Sequence, residues 1–462
     1  MLPLFRSAKA VSPQLGTPEQ FAALRRFLAN SNYTEAAICE RLGIPSLSKV
    51  VHLRTGGPQA DALDWLIRLF LLEESLPQSW IPAEILDLLR ALGLAAGEPN
   101  VTATVKLYPV QSVYVISDRD MSRPGERSEH VFSAISPQTE EFLQLLPVSP
   151  CPACLEICAG AGAAALLAAS RYAVQSFAFD VSERCRAFTE FSRRLNGIRN
   201  LTVKRGDMYA PAGSQTFDRI LAHPPYVPSL RTTQLFRDGG EDGERLTRRV
   251  VEGLPNYLHP GGRLYLLAML AVYPDRDIPS RIRHWLRDAE RDFDLVVVQR
   301  RSVDARAFLF DNCAPEDLPA WRQFVDQCRL RQFRYVNVIV ERHREPATPL
   351  TIVREAGEGY TIAHAERSLA QARRLNDSAW FMASRPRLPA GIECSTRSSL
   401  RDSRWTAQGS ILTRSSPFRI ESPVPDAMLE LLARCDGTRT VAGLGRTDDL
   451  RALIAAGLLE VE

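Results

Sequence analysis

Apolar residues recur at helical spacing through Phe21, Leu24, Phe27 and Leu28, directly after Thr17-Pro18-Glu19-Gln20, a pattern that opens a helix with a capping box. The stretch from Tyr33 to Ile44 reads as the first helix and turn of a helix-turn-helix. Its second helix would carry Ser46, Ser48, Lys49 and His52. Helices follow from Ala60 to Glu73 and around Ala83 to Leu94, and apolar-polar alternation then predicts short strands from Val101 to Tyr108 and from Val113 to Ser117. These are winged-helix-like proportions. The second helix lacks a dense basic face, so packing or substrate recognition is preferred to nucleic-acid contact.

From Cys151 to about Arg342 the pattern changes to strands alternating with helices, which predicts a doubly wound parallel α/β sheet. Its seven strands are Leu155–Cys158, Ser176–Phe179, Leu201–Lys204, Phe217–Ala222, Gly262–Ala268, Phe293–Arg300 and Tyr335–Val340, the last two separated by a helical stretch around Trp321 to Arg329. Beyond Arg344-Glu345-Pro346 the composition shifts. Residues 385–417 are rich in Arg, Ser and Pro with weak periodicity, so the expectation is an irregular connection. The tail regains order in an amphipathic helix from Asp426 to Arg434 and a final helix from Leu450 to Leu459, again of winged-helix proportions. Four parts result: 1–120 helical and winged-helix-like, 121–345 α/β, 346–417 irregular and 418–462 a small helical module.

The length of 462 residues allows two to four domains, and a net charge of +3 does not by itself imply nucleic acid. Arg outnumbers Lys, which offers planar forks for phosphate or carboxylate. No stretch approaches the ~20 apolar residues of a membrane span, and the N-terminus lacks a signal peptide's apolar core. A cytoplasmic protein with no membrane partner is expected. The nine cysteines, odd in number and scattered through core segments, fit reduced thiols. Cys151, Cys154 and Cys158 have a spacing that invites a metal, but alternating strand side chains do not converge on one ion, so metal is rejected.

The chemistry begins at Glu156-Ile157-Cys158-Ala159-Gly160-Ala161-Gly162, an apolar strand running into a glycine turn that lets backbone approach a ligand. Asp180 ends the second strand, where an acid accepts both ribose hydroxyls, and Asp207-Met208 ends the third, where the acid can take an adenine amino group and Met208 can cover the ring. A dinucleotide needs a donor-rich loop for its pyrophosphate. Here Glu156 would repel phosphate and suits a cationic sulfonium amino acid, so the ligand reads as S-adenosylmethionine, held by Glu156, Cys158, Gly160, Gly162, Asp180, Asp207 and Met208.

Residues from about 130 to 270 resemble a class I methyltransferase of the HemK-like and methyltransferase small-domain group. Four segments carry the resemblance in order. They are the donor loop just quoted, Ser136-Pro137-Gln138-Thr139-Glu140 (P-x-x-T-E), Arg237-Asp238-Gly239-Gly240-Glu241-Asp242-Gly243 (G-G-x-D-G), and Leu258-His259-Pro260-Gly261-Gly262 (L-x-P-G-G). In that group the P-x-x-T-E segment closes over the donor. His223-Pro224-Pro225-Tyr226 falls where the group carries N/D-P-P-Y/F. The resemblance implies that His223, Pro224 and Tyr226 hold and orient a planar acceptor.

His223 departs from the group's Asn or Asp. A neutral imidazole accepts one hydrogen bond and a protonated one accepts none; His can also act as a base near neutral pH. Three readings stay open: a nitrogen acceptor with His223 taking one N–H, an oxygen or other small-molecule nucleophile deprotonated by His223, or reduced or absent activity in a donor-binding adaptor with nucleic-acid-binding terminal modules. The expected substrate is macromolecular, protein or RNA, because the terminal modules exceed what a metabolite methyltransferase needs.

Overall fold

The computed structural model describes residues 13–52, 61–119, 129–230, 234–401 and 403–461. Strands of the central sheet are β1 (Cys151–Ile157), β2 (Ala173–Asp180), β3 (Leu201–Arg205), β4 (Phe217–Ala222), β5 (Leu258–Val272), β6 (Phe293–Asp304), β7 (Gln332–Arg342), β8 (Thr351–Ala356), β9 (Ile392–Arg401), β10 (Arg404–Arg414) and β11 (Phe418–Val424). They hydrogen-bond in the order β9-β10-β11-β8-β6-β7-β5-β4-β1-β2-β3. The strand order reverses between β1 and β4, where open α/β sheets form their ligand crevice at the strands' carboxyl ends. Strand β7 is antiparallel to both β5 and β6. Helices Ala163–Arg171 and Glu183–Leu195 make the crossovers on the β1–β3 side.

The expected seven-stranded sheet is therefore extended. The edge of β6 is covered by β8 in parallel, and β11, β10 and β9 continue antiparallel. The expectation of an irregular segment over 346–417 is corrected: it holds β8, the helix Ile362–Arg374, the helix Ser378–Ala383, β9 and β10. These strands escape the pattern because most of their described side chains lie outside the core, so backbone pairing rather than a buried face sets their register. An ion network built on the buried Asp294 and Glu341 carboxylates pins this extension to the sheet. Arg373 contacts Asp294 and donates to Glu341 at 2.5 Å, Arg263 bridges Glu341 and Glu366, and His343 lies 2.9 Å from Asp294.

In the N-terminal part the capping box forms as expected, with Thr17 accepting from the Gln20 amide and the Gln20 side chain accepting from the Thr17 amide. Helices span Pro18–Asn30, Glu35–Leu42, Ala62–Phe70 and Ala83–Ala91. The second helix expected after Gly43 is instead a 3-10 turn, Leu47–His52, just before which the Ser46 hydroxyl bonds Ser48 and the Glu140 carboxylate. The hairpin Lys106–Val110 and Val113–Ser117 lies along the helix Glu183–Leu195, where Asn196 and Ser192 accept from its backbone. Phe21 meets Phe191 edge-on at 5.0 Å, so this part shares one core with the donor-side face of the sheet. No described helix is long and apolar enough to cross a membrane.

Candidate active site

Strand β1 runs into a turn with left-handed backbone at Cys158 (φ 56°), Gly160 (φ 54°) and Gly162 (φ 72°). The two glycines differ in what surrounds them. A Cβ on Gly160 would meet no atom within 4 Å and would project into open cavity. A Cβ on Gly162 would lie 2.3 Å from Thr189 Cγ2, and the Thr189 hydroxyl donates to the Gly160 carbonyl at 3.1 Å. Gly162 is thus a packing position between turn and helix and does not line the cavity, which corrects its assignment to the ligand wall. The reason is steric: the loop can reach the ligand only if the following helix sits against Thr189 without an intervening side chain.

The cavity measures about 650 Å³ and opens at the carboxyl ends of β1, β2 and β4. Glu156, Cys158, Gly160, Asp180, Asp207, Met208, His223, Pro224 and Tyr226 all line it. Asp180 is held for work at this spot, with Oδ2 accepting from the Gly160 amide at 2.8 Å and Oδ1 from Ser182 at 2.9 Å. Burial raises its pKa above the ordinary aspartate value. Glu156 is 6% exposed, and its Oε2 accepts from the Ala165 amide at 2.7 Å, which places an acid at the positive end of the helix Ala163–Arg171. Burial nevertheless lifts its carboxyl to about 8. Glu156 is therefore a helix cap that also reaches the cavity. Asp207 forms a two-pronged ion pair with Arg249 at 3.0 and 2.8 Å, and Met208 Sδ lies 3.9 Å from Cys158 Sγ.

Opposite this acidic end stands an aromatic one. The His223 imidazole lies between Phe142, at 5.2 Å, and Tyr226, at 5.6 Å. Among the described residues neither the His223 ring nor the Pro224 carbonyl has a hydrogen-bond partner. Desolvation by these apolar neighbours lowers the His223 pKa to about 4, so the ring is neutral at physiological pH. Tyr226 is buried, meets Tyr335 edge-on at 5.9 Å, and has its phenol pKa pushed up by burial.

The G-G-x-D-G segment positions this motif. Val227 donates to the Arg237 carbonyl and accepts from the Gly239 amide, in a parallel bridge with Asp238. A Cβ on Gly239 would lie 2.7 Å from Tyr226 Cα, and one on Gly243 2.3 Å from the Tyr226 carbonyl, so only glycine lets the two loops lie backbone to backbone. The P-x-x-T-E segment opens the helix Pro137–Gln144, from which Gln138, Thr139 and Phe142 line the cavity. The L-x-P-G-G turn does not line it and instead starts β5 with a bulge after Leu258. Phe142, Phe132, Phe236, Phe308 and Tyr335 complete the wall and were not singled out from the sequence. Phe142 follows Thr139-Glu140 closely enough to have been flagged, whereas Tyr335 sits in a strand that reads as core.

The chain's middle third matches the sequence profile of one described family. Residues 127–274 match the methyltransferase small domain. Curated relatives agree with the small-domain match. A ribosomal protein uL3 glutamine methyltransferase of Bradyrhizobium diazoefficiens is 34% identical over 124 residues, 24% of this chain and 38% of the relative. A release factor glutamine methyltransferase of Thermodesulfovibrio yellowstonii is 31% identical over 124 residues, 24% of this chain and 44% of the relative. The uL3 enzyme of Bordetella pertussis is 28% identical over 167 residues, 32% of this chain and 55% of the relative. The chain thus spans about two fifths to a little over half of these relatives' length. The small-domain match takes in the donor loop, the His223 motif and β5 up to its carboxyl end.

The cavity fits S-adenosylmethionine on three counts. Its volume lies within the roughly 300–1,000 Å³ of small-molecule sites. The space beside Gly160 that a Cβ would fill opens into a cavity also lined by Asp180, Asp207 and Met208. The acids at this end complement a ligand carrying sulfonium and ammonium charge.

Proposed function

We propose that this chain is an S-adenosylmethionine-dependent methyltransferase acting on a side-chain amide nitrogen of a protein. The donor supplies an electrophilic methyl carbon. Asp180 would accept the ribose hydroxyls, the Asp207-Met208 corner would receive the adenine, and Glu156, drawn to its ionised form by the donor's positive charge, would balance it. His223 at pKa about 4 keeps one ring nitrogen as an acceptor and the other as an N–H donor. That acceptor nitrogen and the Pro224 carbonyl can take the two N–H groups of a primary amide, turning its nitrogen lone pair toward the methyl carbon. Tyr226 stacks on the amide plane, and the surrounding rings exclude water.

The observation that carries this reading is the neutral His223 ring, held between Phe142 and Tyr226 beside a Pro224 carbonyl that has no hydrogen-bond partner among the described residues. The same observation speaks against His223 as general base for an oxygen acceptor, because a base of pKa about 4 draws a proton weakly from a hydroxyl. The relatives' names, all of glutamine methyltransferases, support the amide. We assign residues 1–120 and the extension after 345 to framing a macromolecular substrate in the cytoplasm. The contact between Ser46 and Glu140 supports this, since it joins the N-terminal part to the helix that carries Phe142. A nucleic-acid-contacting winged helix finds less support, because its second helix is a 3-10 turn.

The test compares wild type, His223→Asn and His223→Ala with labelled donor and glutamine-bearing protein substrates, identifying the labelled side chain by mass. Turnover is expected to survive in Asn and fall at least tenfold in Ala, and in the wild type kcat at saturating donor, where Glu156 is already ionised, is expected to stay flat from about pH 5.5 to 8. A titration limb near 6.5, or label found only on hydroxyls, would overturn the reading.

A further inference from the structure

Strands β6 and β7 lose their one-to-one register beside the cavity. Gln299 pairs with Val336 and Ser302 with Arg334, so Arg300 and Arg301 together face Tyr335 alone. This is a β-bulge, a device that redirects a side chain and recurs next to active sites. It sends the two arginines different ways. Arg300 pairs with Glu141 at 2.9 Å and ties the strand to the helix Pro137–Gln144. Arg301 turns its guanidinium over the face of Tyr335, 4.0 Å from the ring centre, and lines the cavity.

Charge is unevenly spread around that cavity. Glu156, Asp180 and Asp207 lie at the donor end. At the acceptor end Arg237 is engaged by Asp238 and the Asn312 carbonyl, and nearby Arg306 is paired with Asp326 at 2.7 Å. Arg301 forms no ion pair among the described residues. Tyr335 beneath it meets Tyr226, which in turn lies against His223, so the cation is three ring contacts from the transfer point. A fork that rests on an aromatic face is pre-ordered for a planar oxyanion, because the stacked plane leaves its N–H edge outward.

Resting on the amide-methylation reading, we propose that Arg301 receives the carboxylate of an acidic residue flanking the methyl-accepting glutamine, so that the substrate is an acidic peptide segment. One unpaired cation among paired ones suits one carboxylate. A nucleic acid would call for a row of cations along its phosphates.

The experiment uses the full chain with the demethylated donor bound, and fluorescein-labelled peptides with a central glutamine and either Asp or Asn at each flanking position. Fluorescence polarisation is expected to show Asp preferred over Asn by about tenfold or more at one offset, the size of one charge-assisted contact. In Arg301→Gln that preference is expected to fall within about twofold, with donor affinity retained as the check on folding, and Arg301→Lys is expected to recover part of it. No acid preference in wild type, an undiminished preference in Arg301→Gln, or an Arg301-dependent polyuridylate affinity exceeding that of the acidic peptide each overturns the proposal. Mass analysis of the same peptides with live donor separates the two readings. Arg301-dependent acid preference without methylation defeats the amide reading alone, and methylation without acid preference defeats the Arg301 assignment alone.

Discussion

Replacing Glu156 by Gln should change how stability depends on pH. Glu156 is buried at the start of the helix Ala163–Arg171, and burial lifts its carboxyl from 4.5 to about 8. The folded chain therefore keeps this proton over a range in which the unfolded chain releases it. The group's favourable contribution is complete below about pH 4.5, shrinks as pH rises, and is gone above about pH 8. At about 1.4 kcal/mol per pH unit, wild type should lose about 3 kcal/mol from this group between about pH 5 and 7.5. Gln keeps the side chain's size and an oxygen for the Ala165 amide but cannot ionise. Urea unfolding followed by circular dichroism across this range should show the two stabilities diverging by about that amount, with Gln gaining as pH rises. Carboxyls remote from Glu156 titrate alike in both proteins and drop out of the difference, whereas Asp180, whose charge helps raise the Glu156 pKa, is part of it. Donor binding should also expel a proton from wild type near pH 6 and not from Glu156→Gln, seen as a buffer-dependent heat in calorimetry. Parallel stability curves would refute the placement of an uncharged acid at the loop.

The paired glycines should separate binding from packing. Gly160→Ala is expected to lose donor affinity at least tenfold while melting only slightly lower, since its Cβ enters the cavity and only the left-handed backbone adds strain. Gly162→Ala should destabilise by about 2–4 kcal/mol through the Thr189 clash, read by thermal unfolding. Asp180→Ala should abolish measurable donor binding in a calorimetric titration, and unchanged affinity would remove Asp180 from the pocket. Arg373→Ala leaves the buried Asp294 and Glu341 with only His343 and Arg263 as ion-pair partners, and a loss of about 1–3 kcal/mol is expected by urea unfolding, with the extension after 345 cleaved first in limited proteolysis.

The turn at Cys158–Gly162, the acids at strand ends and the Pro-Pro-Tyr segment were legible because each demands particular residue types: small ones for close backbone approach, acids at sheet carboxyl ends, rigid prolines at a loop. Strand existence in β1 to β7 was legible because most of these strands, the antiparallel β7 included, are buried on both faces and read as apolar runs. Residues 346–417 were not, since Arg- and Ser-rich strands on the far flank of the sheet are held by backbone bonds that leave no side-chain period. The roles of particular residues within the loop were hidden for a different reason. Gly160 and Gly162 are identical in sequence terms, and only Thr189, arriving from the next crossover helix, makes one a packing position and leaves the other facing the ligand. Likewise His223 alone left hydrogen-bond acceptor, general base and loss of activity open. Phe142, brought from the helix Pro137–Gln144, closes on the ring from the side opposite Tyr226, and burial fixes it neutral. The chain by itself thus determined which chemical groups are present and which local turns they make. The tertiary structure decided their charge states and their neighbours, because desolvation and register are set by residues far away in sequence.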